Sequence, residues 1–152
     1  MAGNYTRRPG ELRDFQTALQ LLETEVIYSA TPLPVALRKI SSFGPGKAAA
    51  MFSQASRKME SGLVETAGEA WISALAETFE DTALRFEDRE VLEALAPSLG
   101  ASDRQEQLKH LALARERLGR QEAAARDDAG RYGRLWNYAG VLAGLALVLI
   151  LI

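Results

Sequence analysis

The last eighteen residues of the chain, 135–152, read LWNYAGVLAGLALVLILI and carry no charge. As a helix this run reaches roughly 27 Å, close to the ~30 Å hydrocarbon core of a bilayer. A core helix of a water-soluble domain would keep a polar stripe, and this run keeps none after Asn137. The pattern therefore predicts a C-terminal transmembrane helix. Its border is the expected one, with Arg131 and Arg134 just upstream and Trp136 and Tyr138 at interface depth as membrane-interface anchors. The run lies too far from the N-terminus to be a signal peptide. Arg126, Arg131 and Arg134 crowd one side and no charge follows, so the positive-inside rule places residues 1–134 in the cytoplasm.

The chain has no cysteine, which excludes disulfides and thiolate metal sites. A net charge of -2 gives no basic excess of the kind nucleic-acid binding requires. Residues 11–134 read as one all-α domain, a small bundle of five or six helices, because no stretch alternates apolar and polar residues over the length of a strand. A first helix, 11–29, places Leu12, Phe15, Leu19, Leu22 and Val26 on one seam, with Arg13, Gln16, Gln20 and Glu23 off it. Thr31 is expected to cap a second helix with Pro32 at its first position, burying Leu33, Ala36, Leu37 and Ile40. Gly44-Pro45-Gly46-Lys47 is a turn; it lacks the glycine spacing and the following Ser or Thr of a phosphate loop.

A third helix, 47–61, aligns Ala48, Phe52, Ala55 and Met59. Thr66 and Glu69 form a capping box opening a fourth, which carries Ala70, Trp71, Ala74, Leu75 and Phe79. A fifth, 86–99, turns Val91, Leu92 and Leu95 inward, is loosened at Pro97 and closes at Gly100. Ser102 and Gln105 form a second box, and no proline follows it. A long sixth helix is thus expected to run into the membrane with Leu108, Leu111, Leu118 and Ala125 as its stripe, weakened at Gly119, Gly130 and Gly133, one of which could serve as a hinge.

Candidate chemistry is sparse. His110, the one histidine, falls beside the apolar stripe of a helix and reads as structural or solvent-exposed. The carboxylates Glu77, Glu80, Asp81, Glu87, Asp88, Glu90 and Glu93 follow no metal-loop spacing and are interleaved with Arg85 and Arg89, so they read as a solvated face. No catalytic residue, metal ligand or cofactor site is assigned. Gly140 and Gly144 share one face of the apolar helix, where a second membrane helix could approach closely; they are the predicted helix-packing residues.

Four blocks carry a family resemblance: LQLLETEVIYSATPLPVAL from Leu19 to Leu37, Glu69-Ala70-Trp71, LGASDRQEQ from Leu99 to Gln107, and WNYAGVLAGL from Trp136 to Leu145. Together they resemble the stage III sporulation protein AB family and span most of the chain in order. The resemblance implies a helical bundle distantly similar to the F-type platform of type II secretion and type IV pilus machines. It implies a non-enzymatic platform component of the sporulation channel complex between mother cell and forespore, without cofactor, oligomeric, and held in the cell membrane with its bundle on the mother-cell cytoplasmic side. The implied partners are a stage III sporulation protein AA-type ATPase, other membrane proteins of the same complex and membrane lipid. Family members usually begin with a further transmembrane segment; residues 1–10 of this chain look like the stretch just after one, with Arg7 and Arg8 as its cytoplasmic flank. A competing reading is a tail-anchored regulatory or metal-binding domain that uses the acidic cluster.

Overall fold

Buried apolar positions recur every three or four residues along each main helix, and the fold brings these faces together. The structure, a computed structural model, describes residues 2–29, 31–63, 66–100 and 103–151, without the side chains of 2–5 and 131–139. Six α-helices succeed one another: α1 (Ala2–Tyr28), α2 (Leu33–Phe43), α3 (Gly46–Ser61), α4 (Ala67–Thr78), α5 (Phe86–Glu93) and α6 (Arg104–Leu151). Short 3-10 turns at Phe79–Asp81 and Ala96–Ser98 follow α4 and α5. No strand occurs among the described residues. The all-helical reading holds.

α1 and α6 lie antiparallel, since Arg13 reaches Glu122 while Glu23 reaches Arg115. The α2–α3 hairpin and α4 pack against this pair, and α5 leans on α4 and α6. The seam Leu12, Phe15, Leu19 and Leu22 is fully or almost fully buried, joined by Ala18, which has no bulk to announce itself in sequence. At the centre stands Trp71, with its ring centroid 5.5 Å from that of Phe52 at a tilt of 56°. Its indole N–H donates to the Leu92 carbonyl at 2.7 Å, which satisfies the one polar atom this large apolar side chain brings inside.

Several helix ends agree with the sequence reading and several correct it. Thr66 Oγ1 accepts the Glu69 N–H at 3.0 Å, as a capping residue should. The cap of α2, by contrast, is Pro32 and not Thr31, and no side chain caps that end. The Thr31 N–H instead donates to Ser29 Oγ at 3.2 Å, bracing the α1–α2 link. Ser102 lies outside the described residues; the capping bond at the start of α6 comes from Asp103, whose Oδ1 accepts the Glu106 N–H at 2.8 Å. α5 ends at Glu93, and its expected continuation tightens into the 3-10 turn that holds Pro97, closed by Gly100 at φ +78. α6 runs unbroken for 48 residues, so Gly119, Gly130 and Gly133 do not interrupt its backbone hydrogen bonding.

The largest correction concerns the start of α1, expected at residue 11 and found at Ala2. Carrying α1 across Pro9 has a cost, because proline within a helix removes a donor and crowds the preceding turn. Tertiary contacts outweigh that cost. Arg8 donates twice to Asp88, Nε to Oδ2 and Nη2 to Oδ1, both at 2.8 Å. Asp88 is 0 % exposed, and its Oδ2 also accepts the Arg85 N–H at 2.8 Å, closing the first turn of α5. One residue turn further along α1, Glu11 Oε2 accepts the Ala83 N–H at 2.5 Å and Oε1 pairs with Arg7 at 3.1 Å. The segment 7–11 is thereby sewn to residues 81–88.

Replacing Arg8 by Met leaves the enclosed Asp88 carboxylate without its cation, a change expected to cost about 3–5 kcal/mol. Adding Asp88→Asn, which keeps an acceptor for the Arg85 N–H, is expected to recover part of that loss. Urea unfolding of the two variants checks the order, single below double below wild type.

Candidate functional site

The residues singled out in sequence fall into an acidic group on the bundle and an apolar group at the end of α6. The acidic group does not converge. Asp88 is buried against Arg8, Glu77 pairs with Lys58 at 2.7 Å, Glu93 pairs with Arg89 at 2.6 Å, and Glu87 lies 3.9 Å from both Arg8 and Arg85. The reading of Asp88 as part of a solvated face is therefore corrected: it is the structural partner of a guanidinium. No group of three or more His, Cys, Asp or Glu able to hold a metal ion occurs among the described residues. His110 sits at the surface of α6 with Nε2 3.5 Å from Glu106. Gly46, in the expected turn, adopts φ +51, and a Cβ there would meet Asp14 Oδ2 at 2.6 Å, so both the backbone and its neighbour favour glycine.

Among the depressions of the described bundle surface, two are of appreciable volume. One of about 290 Å³ lies between the C-terminal end of α1 and the first turns of α2 and α6, lined by Leu22, Glu25, Val26, Leu33 and Arg104 among others. A more open one of about 530 Å³ lies between α4 and the 3-10 turn at 96–98, lined mainly by Ile72, Ala96, Pro97 and Leu99. Each also carries hydroxyls and a carboxylate, Ser29 and Thr31 with Glu25 in the first and Thr66 and Ser73 with Glu69 in the second. Glu25 Oε1 accepts from Lys39 at 2.8 Å and Thr66 Oγ1 is taken up by the Glu69 N–H, so these groups serve structural contacts.

The far end of α6 behaves differently from the rest of the chain. Past Ala125 no described residue of α6 is buried, and Val141, Leu142, Leu145, Leu147, Val148, Leu149, Ile150 and Leu151 are all exposed. Such a contiguous apolar surface on an otherwise polar protein marks a contact with lipid or with another protein. Gly140 and Gly144 stand one turn apart within it, and a Cβ built on either meets nothing within 4 Å. Both lie open for a partner helix. The side chains of Arg131, Arg134, Trp136 and Tyr138 lie outside the described residues. Among the described residues no helix is long and apolar enough to cross a membrane.

Sequence reasoning missed the polar residues that join α6 to α1. Gln16 and Glu23, expected off the seam, are enclosed: Gln16 Nε2 donates to Glu122 Oε1 at 2.8 Å and Glu23 pairs with Arg115 at 3.1 Å. Periodicity of apolar residues carries no trace of such pairs, which are defined by two distant helices at once.

Among the described residues two ionisable groups are displaced from their ordinary range. Hydrogen bonds to Asp88 raise the Arg8 pKa against the opposing effect of burial, with the charges of Asp88, Glu87 and Asp128 adding to the rise. Burial, then the charge of Glu11, raises that of Asp14, with Arg13 acting in the opposite sense.

The sequence profile of the stage III sporulation protein AB family matches residues 1–152. The all-helical bundle is thus of the class that this family defines. The chain belongs to the stage III sporulation protein AB family, which supports a role in sporulation. It is 34% identical over 151 residues to stage III sporulation protein AB of Bacillus subtilis (strain 168), covering 99% of this chain and 88% of that protein. A solved structure of a stage III sporulation protein AB superposes with a TM-score of 0.75 at 32% identity, covering 82% of this chain and 97% of that one.

A carboxyl whose pKa is higher folded than unfolded holds its proton more tightly when folded, so its ionised form costs stability, and the cost fades as pH falls through the raised value. Asp14→Asn is accordingly expected to raise the melting temperature at neutral pH. The gain should shrink as pH is lowered through the raised folded value, which thermal scans across the acid range will read.

Proposed function

We propose that this protein is a non-enzymatic platform component of the sporulation channel complex between mother cell and forespore. In this reading residues 135–152 form a transmembrane anchor, the bundle lies on the cytoplasmic face, and the exposed helix faces dock a stage III sporulation protein AA-type ATPase. The observation that carries the reading is the match of the whole chain to its family together with the bare apolar end of α6. A side chain of leucine or isoleucine left in water forgoes about 1.5–3 kcal/mol, so a run of them needs a cover. Gly140 and Gly144 suit that cover to other membrane helices, because glycine lets two backbones approach until dispersion and Cα–H contacts operate.

Replacing both Gly140 and Gly144 by Leu is expected to reduce crosslinked membrane assemblies at least several-fold while leaving the unfolding midpoint of the bundle unchanged, since neither glycine touches it. Intact assemblies in that variant would defeat the packing role. The docking role is read separately: the detergent-solubilised full chain should retain the ATPase on an affinity resin, and failure of the folded chain to do so would count against it.

The alternative, a regulatory domain that binds metal through its acidic cluster, loses its support in the structure because Asp88, Glu77 and Glu93 are each committed to a different cation.

A further inference from the structure

α6 leans on the bundle in two different ways. Along 111–118 the contact is mainly apolar, with Leu111, Ala114 and Leu118 buried in the common core and the Glu23–Arg115 pair beside them. Along 119–130 only Ala125 is buried, and the remaining contacts are polar. Glu122 accepts from Arg13 at 3.3 Å and Gln16 at 2.8 Å on α1, and pairs with Arg126 on its own helix. On the other side Gln121 donates to the Glu87 carbonyl at 3.4 Å, and Arg85 lies 3.8 Å from Asp128.

These are weak restraints. The Arg13 side chain is 60% exposed, and Arg85 and Asp128 are 40% and 38% exposed, so water and salt screen both pairs. The closed arrangement also leaves Gln121 Oε1 buried without a partner, a cost that opening would relieve. Between the apolar and the polar stretches stands Gly119, where a Cβ would meet Gln16 Oε1 at 3.2 Å. Glycine is the residue after proline least suited to hold a helix straight. Gly119 coincides with the boundary between firm and loose packing.

We infer that residues 119–130 form a latch, closed on Glu122, which opens by bending α6 at Gly119 while 104–118 stay docked. Opening changes the angle between the bundle and the apolar end of α6 without breaking the core. Its consequence, a bundle that tilts on its anchor, rests on the membrane reading above; the bending itself does not.

Hydrogen exchange of the full chain in detergent micelles tests it. Arg13→Gln, at an exposed position that the fold does not need, and Glu122→Gln should each speed exchange of amides 120–130 by about two- to fivefold and leave 104–118 unchanged. Added salt should have the same effect on the wild type. Unchanged exchange in both variants, or acceleration spread evenly over 104–130, overturns the latch. Flotation with lipid vesicles reads the anchor independently: a chain that does not float defeats the anchor and leaves the latch standing.

Discussion

The buried pair of Arg8 and Asp88 is the contact on which the arrangement of helices turns. α5 has eight residues, well short of the length at which an isolated helix persists in water, so its place depends on what it touches. Asp88 closes its first turn through the Arg85 N–H and at the same time accepts hydrogen bonds from Nε and Nη2 of a guanidinium 80 residues earlier in the chain. The same contact lets α1 continue across Pro9. A carboxylate withdrawn from water is costly unless its lone pairs are filled, and here three donors fill them. The pair therefore specifies geometry, tying the start of α1 to the start of α5, more than it adds net stability.

Around that tie the core is conventional in composition and specific in shape. Trp71 fills the space between α3 and the α5 end and meets Phe52 edge-tilted, while Ala18, Ala36, Ala48, Ala55 and Ala74 let helices approach. Large and small side chains alternate, which is how close-packed interiors leave no void. Ser56 contributes a buried polar contact, its hydroxyl donating to the Pro34 carbonyl at 2.7 Å and joining α3 to the first turn of α2.

α6 unites three environments in one continuous helix: an apolar seam, a polar seam and a bare apolar end. Along such a helix the weakest helix former sets where bending costs least, and Gly119 stands between the first two of these environments. The firm apolar contact along 111–118 and the looser polar contact along 119–130 differ in how strongly they hold the helix to the bundle. Gly140 and Gly144 add a surface on which the same helix could meet its neighbours.

Much of this was legible in residue order alone. Apolar spacing located the inner faces of all six helices, Thr66 located a cap, and four sequence blocks located the family, because each is a local pattern that secondary structure must satisfy wherever it stands. The N-terminal extent of α1, the burial of Asp88 and the polar joint of Gln16, Glu23 and Glu122 were not legible. A charged residue off an apolar seam reads as solvated, and only the approach of a second helix from a distant part of the chain turns it into a partner. The sequence by itself determined which faces needed cover and that the last helix would end in an uncharged apolar run; tertiary structure alone decided which charges became internal, because desolvation and pairing belong to the meeting of helices and to no single one of them.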